Sequence, residues 1–181
     1  GFTPERFEKE IANINHMSEA ELKELVESGK YVPSYMWNQN GWLCSKMKLH
    51  VTSQTQRCYP TTHSEDLFSE TLNATIKAGD PTGMRAVVTT ETEEGITFVT
   101  ECVGKVFAPD EFDRNDWTLV GEPETTISVN RPATVEMTCA TLVNRIPQLI
   151  DAPAGYVTTD QYPYNEYCVH ALNTYVKSRN L

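Results

Sequence analysis

The sequence predicts an α+β fold with a mostly antiparallel or mixed β-sheet and helices packed on one face. Three observations carry this. The first third has apolar residues at helical spacing behind clear caps, the middle reads as short strands between glycine turns, and a further amphipathic helix opens at Pro132. A length of 181 residues suits one domain with a sizeable core.

Thr3 followed by Pro4 is a helix cap with a first-turn proline, and Phe7, Ile11 and Ile14 then share one face. Ser18-Glu19-Ala20-Glu21 is a capping box, Met17 and Leu22 are placed as a hydrophobic staple, Leu25 and Val26 continue the stripe, and Gly29 ends it. Pro33 to Trp42 is rich in aromatic and amide side chains and leads into Leu43 to Met47, a helix expected to break near Gly41.

From about His50 strands take over. Val51 to Tyr59 and Leu67 to Ile76 precede the turn Ala78 to Gly83. Met84 to Glu91 and Ile96 to Phe107 form an antiparallel hairpin around Glu93-Glu94-Gly95, where glycine supplies a positive φ. Trp117 to Val120 and Thr126 to Val129 make two shorter strands around Gly121-Glu122-Pro123. Val135, Cys139, Leu142, Val143 and Ile146 mark the buried face of the helix from Pro132, which Pro147 is expected to end or kink. Asp151 to Gly155 reads as a turn, Tyr156 to Thr159 as extended, and the tail from Pro163 as a last helix.

Composition narrows the function. Hydrophobic residues make up 39% and charged residues 22%, as in ordinary globular proteins. Fifteen basic against 25 acidic residues leave a net charge of -10, which argues against nucleic-acid and anionic-membrane partners and suits a neutral or cationic small ligand. No apolar run is long enough to span a bilayer and no signal-peptide pattern opens the chain, so a cytoplasmic location is expected. Five cysteines at wide spacing, with no Cys-x-x-Cys pair, read as reduced and mostly buried thiols.

The motifs of several chemistries are missing. No two of the nine glycines stand at i and i+2 or at i and i+5, so neither G-x-G-x-x-G nor a Walker-type phosphate loop can be written. His16, His50, His63 and His170 form no metal-ligand spacing, no G-x-S-x-G elbow occurs, and no catalytic nucleophile can be nominated. What remains points to small-molecule binding. Tyr35, Trp37, Asn38 and Trp42 suit a pocket wall, because aromatic faces supply apolar area and amides fix orientation. His63 lies in the polar loop Thr61 to Glu65. Asn144 and Arg145, near a helix end, precede a stiff Pro/Gly turn and Thr158. That arginine suits either bidentate capture of a carboxylate or ordinary helix capping.

The string Thr141-Leu142-Val143-Asn144-Arg145-Ile146-Pro147, then Asp151-Ala152-Pro153-Ala154-Gly155-Tyr156-Val157-Thr158-Thr159, resembles the "VN-x-IP... APPG-hydrophobic-x-T" ending of dihydrodipicolinate-reductase-like oxidoreductases, the branch containing 2,4-diaminopentanoate dehydrogenase. Ala78 to Gly83 resembles that family's glycine turn, and Trp117 to Pro123 its "D-x-I-x-I-x-G-x-P" segment. The resemblance runs over roughly Ala78 to Tyr162. The reductase's H-H-x-x-K-x-D-x-P-S-G-T motif is absent, and Tyr31 to Tyr35 replaces the "G-H-x-G" segment of the diaminopentanoate branch.

The resemblance implies that residues 1–181 are a single substrate-binding and oligomerising domain, a homo-oligomer forming through its sheet. NAD or NADP would be bound mainly by a Rossmann domain that lies outside this chain. Tyr35, Trp37, Asn38 and Trp42 would then wall the substrate pocket, with Asn144, Arg145 and Thr158 toward the cofactor. The substrate would be an amino acid or related amine. A non-catalytic binding or assembly module is the alternative, and an unrelated stand-alone α+β enzyme is a third reading.

Overall fold

The computed structural model describes residues 2–177. Its backbone forms two compact units, Gly1–Pro109 and Asp110–Leu181. The first holds α1 (Pro4–Glu10), a 3₁₀ turn (Ala12–His16), α2 (Glu19–Glu27), α3 (Tyr35–Met47), and strands β1 (Val51–Thr62), β2 (Leu67–Ser69), β3 (Ala74–Ile76), β4 (Pro81–Thr92) and β5 (Thr97–Lys105). The second holds β6 (Arg114–Leu119), β7 (Thr125–Asn130), α4 (Thr134–Ile150) and two 3₁₀ turns, Thr159–Gln161 and Leu172–Tyr175. The fold is α+β, and every strand pair among the described residues is antiparallel.

In the first unit the strand order is β1-β4-β5, with β2 and β3 as a separate small ribbon. The turn from β4 to β5 closes on Gly95 at φ 79°, as the sequence predicts. Side chains alternate along the strands, so Gln56, Cys58, Ala86, Val88 and Thr90 turn inward and are buried. The 3₁₀ turn, α2 and α3 lie over this face, with Ile14, Cys58 and Ala86 at the centre and Ile11, Met17 and Tyr31 around them. The opposite face stays open, carrying Tyr59, Val99 and Val103. There Arg85 lies over the Tyr59 ring at 5.0 Å and pairs with Glu101 at 3.6 Å.

Local signals place the helices. Thr3 accepts from the Arg6 N–H, and the Ser18–Glu21 box closes in both directions, ahead of buried Phe7 and Leu22 respectively. The helix α3 departs from the expected break, running continuously through Gly41. Its inward residues Asn40 and Cys44 are buried, and this packing outweighs the roughly 1 kcal/mol that an exposed glycine costs a helix. It ends on Lys48 in the left-handed region (φ 58°), where the Leu49 N–H reaches back to Cys44 O at 2.8 Å.

Four further expectations are corrected. The helix α4 does not end at Pro147 but continues to Ile150, the proline forgoing its own N–H bond to the preceding turn. The face of α4 expected to be buried is open, with Val135 72% and Leu142 69% exposed and Val143, Ile146 and Cys139 also exposed. The apolar spacing exists, but a two-stranded hairpin and a tail offer too little surface to cover it. Among the described residues the tail from Pro163 forms no α-helix. It is irregular, tied to α4 by Asn165 Nδ2 to Thr141 O at 3.0 Å and by Gln148 Nε2 to Tyr164 O at 3.0 Å, before the 3₁₀ turn Leu172–Tyr175. Only Cys44 and Cys58 are buried thiols. Cys102 and Cys168 are half-buried and Cys139 is exposed, and all five are free.

Candidate functional site

The residues singled out in the first unit sit on α3, a helix whose position rests on a buried polar network. Asn40 Nδ2 donates to Thr90 Oγ1 at 3.0 Å, and Gln54 Nε2 donates to the same oxygen at 3.0 Å and to Trp37 O at 3.0 Å. One turn before α3, Gln56 accepts from Ser34 N–H at 2.8 Å and donates to Tyr31 Oη at 2.8 Å. Five amide and hydroxyl side chains, those of Tyr31, Asn40, Gln54, Gln56 and Thr90, thus hold the start and middle of α3 against β1 and β4. Buried polar groups of this kind stabilise one arrangement, since any shift leaves them unpaired. Asn40 Oδ1 is buried and has no hydrogen-bond partner among the described residues.

Tyr35 and Asn38 are exposed on α3, while Trp37 and Trp42 are half-buried. Tyr35 reaches toward β5, where its phenol oxygen accepts from Cys102 Sγ at 2.8 Å. Pairing with Cys102, ahead of burial, keeps the proton on the phenol and pushes it up to about 12. Tyr35 is therefore a neutral hydroxyl across the physiological range. Tyr31 is also pushed up to about 12, here chiefly by burial. His63 lies in the loop between β1 and β2, where its Nδ1 accepts from Glu65 N–H at 3.1 Å and its carbonyl accepts from Gly79 N–H at 3.0 Å.

In the second unit, Asn144 and Arg145 bind the tail. Asn144 Oδ1 accepts from Cys168 N–H at 3.3 Å. Arg145 donates to Pro163 O at 2.8 Å and to Gln148 Oε1, with its guanidinium 5.4 Å from the Tyr162 ring centroid. Arg145 therefore braces a segment beyond the helix. Thr158 is exposed at the start of the 3₁₀ turn Thr159–Gln161. The structure brings Asn144 and Arg145 together on the tail, and groups Tyr35, Trp37, Asn38 and Trp42 on one helix.

Sequence reasoning missed Asn40, Gln54, Gln56 and Thr90. The signal was present for Asn40, since Trp37, Asn40 and Cys44 are spaced three and four apart and so share the inward side of α3. Thr and Gln in β1 and β4 carry no comparable signal, because polar strand residues usually face solvent. It also missed two cavities in the first unit. One of about 430 Å³ lies between α1, β3 and the start of β4, and the other, of about 680 Å³, lies beside β2 and the end of β5.

One motif that receives a dinucleotide is absent among the described residues. The pyrophosphate is normally received where a strand runs through a glycine turn into a helix, and no such junction exists among them. No group of three metal-ligating side chains occurs among them either, and no helix among them is long and apolar enough to cross a membrane.

No protein-family model and no curated protein matches this chain. Among solved structures it is similar to an amine dehydrogenase from Mycobacterium smegmatis, with 34% identity and a TM-score of 0.69 over 92% of this chain. The match covers 50% of that enzyme's chain, so this sequence spans about half its length. The chain shares the fold of that half of an oxidoreductase.

Proposed function

We propose that this chain is the substrate-binding and dimerising part of an NAD(P)-dependent oxidoreductase that acts on an amino acid or amine-like small molecule. The observation that carries the reading is the likeness to an amine dehydrogenase, at 34% identity along nearly the whole of this chain. In this reading Tyr35, Trp37, Asn38 and Trp42 form the substrate-facing wall, Tyr35 offering a neutral hydroxyl and Asn38 an amide. His63, Asn144, Arg145 and Thr158 complete the set of binding residues. No catalytic residue is assigned within this chain.

In this reading NAD or NADP is bound mainly by a nucleotide-binding domain outside these residues. Bound there, it would supply the redox chemistry, while this domain orients the substrate and excludes water. The open apolar side of α4, with Val135, Leu142 and Ile146, suits contact with that domain. The open face of the β1-β4-β5 sheet, with Tyr59, Val99 and Val103, suits a second copy of the chain. The acidic balance disfavours nucleic-acid and membrane partners, and five free thiols suit the cytoplasm. Calorimetric titration of the full-length gene product with NADH and NADPH tests the reading. Binding of one or both is expected, and binding of neither overturns it.

A further inference from the structure

The cavity of about 430 Å³ lies apart from α3 and is of a size that holds a small molecule. Its lining is almost entirely apolar, with Phe2, Phe7, Ile11, Leu72, Ile76 and Met84 on its walls. Phe7 is 1% exposed and meets the Phe2 ring edge-on at 6.0 Å, which fixes one wall. Gly83 and Gly104, on β4 and β5, also line it. A Cβ built on Gly83 would lie 2.1 Å from Gly104 O, whereas one on Gly104 would meet no heavy atom within 4 Å. The strands thus close together at Gly83 and leave space over Gly104.

Among the described lining residues, Asp80 is the sole titratable one. Its backbone is held in the turn by its N–H bond to Lys77 O at 3.0 Å. Lys77, in the same turn, has its Nζ paired with Asp66 at 2.7 Å, and Asp66 also accepts from Ala78 N–H at 2.9 Å. Arg6, over the Phe2 ring at 5.2 Å, is likewise paired, with Glu10 at 2.9 Å. An apolar cavity with one carboxylate, on a chain of net charge -10, is complementary to a cation with a hydrocarbon body.

We propose that this cavity binds hydrophobic ammonium ions, the nitrogen against Asp80 and the hydrocarbon between Phe7, Ile11, Leu72 and Met84. The site does not depend on the oxidoreductase reading, so either can fail alone. The adjoining cavity of about 680 Å³ shares Leu72, Thr82 and Gly104 with it, which extends the groove toward Phe68 and Phe107 and admits chains longer than a single ring.

The test titrates the full-length gene product with hexylammonium chloride, hexanol and sodium hexanoate by calorimetry. Hexylammonium is expected to bind at least about tenfold more tightly than either of the others. Asp80→Asn should remove that preference while leaving the weak hexanol binding in place. Gly104→Leu should abolish binding of all three, with far-UV circular dichroism to confirm folding. Absence of hexylammonium binding overturns the proposal, as does equal binding of hexanoate, or Asp80→Asn that binds hexylammonium as tightly as the wild type. If Gly104→Leu does not fold, Asp80→Asn decides.

Discussion

The placement of α3 depends on one hydroxyl, and Thr90→Val removes it at nearly constant volume. Thr90 Oγ1 accepts from Asn40 Nδ2 and Gln54 Nε2, each at 3.0 Å, and both Thr90 and Asn40 are 0% exposed. In the variant the Asn40 amide, whose Oδ1 already has no partner among the described residues, loses its bond, at a cost of about 1–3 kcal/mol for a buried group. Gln54 keeps its bond to Trp37 O, so its loss is smaller, about 0.5–1 kcal/mol. Valine leaves no cavity to add to this. The sum, about 1.5–4 kcal/mol, is a large fraction of the stability of an ordinary domain. Urea unfolding followed by tryptophan fluorescence should show the midpoint falling with an unchanged slope. The double variant Asn40→Leu/Thr90→Val should recover part of the loss, because both polar partners are gone. A single variant within about 0.5 kcal/mol of the wild type, or a double variant no better than the single, refutes the claim that this network holds α3.

Gly83→Ala should destabilise by more than about 3 kcal/mol in the same assay, since its Cβ meets backbone atoms of Gly104 and Lys105 at 2.1 and 2.4 Å; Gly104→Ala, with open space around it, should be neutral or stabilising by up to about 1 kcal/mol. The His50 imidazole, whose Nδ1 lies 2.7 Å from Glu94, should titrate above the usual 6.5 by proton NMR, and Glu94→Gln should bring it back down. Because the folded value is raised, the pair's contribution is full below about pH 6.5 and fades as pH rises through the folded value. Glu94 is lowered by the same bond, so its share disappears as pH falls through its own lowered value. Asn38→Ala, at an exposed position, should change stability by less than about 0.5 kcal/mol while lowering kcat/KM of the full-length enzyme at least about tenfold; an unchanged kcat/KM removes Asn38 from the substrate wall. Arg145→Ala should loosen the tail around Pro163, seen as faster amide exchange at the flanking Tyr162 and Tyr164, and unchanged exchange refutes its bracing role.

The parts of the fold that were legible in the sequence are those set by a few adjacent residues. The Thr3-Pro4 cap, the Ser18–Glu21 box and the Glu93-Glu94-Gly95 hairpin all formed where their chemistry put them, because each satisfies backbone groups locally. The misreadings came where distant packing decides. Gly41 stays helical because Asn40 and Cys44, on either side of it, are anchored to the sheet. The spacing of Val135, Leu142 and Ile146 is that of a buried face, yet spacing cannot say which body covers it. The tail from Pro163 carries tyrosines at helix-like intervals, but its hydrogen bonds run to α4 in place of its own backbone. At the candidate site, the aromatic and amide run Tyr35 to Trp42 was visible as a composition anomaly. The network beneath it was not, because its members come from strands more than a dozen residues away and each is an ordinary polar residue alone.

The central claim, that this chain serves an oxidoreductase acting on amines, is tested most directly by amine-dependent reduction of NAD or NADP by the full-length gene product, followed by nicotinamide absorbance. Turnover with at least one amino acid or amine, lost when Tyr35 and Trp42 are both replaced by alanine in a folded protein, is the predicted result. A folded full-length protein that reduces neither cofactor with any of a broad panel of amino acids and amines contradicts the account.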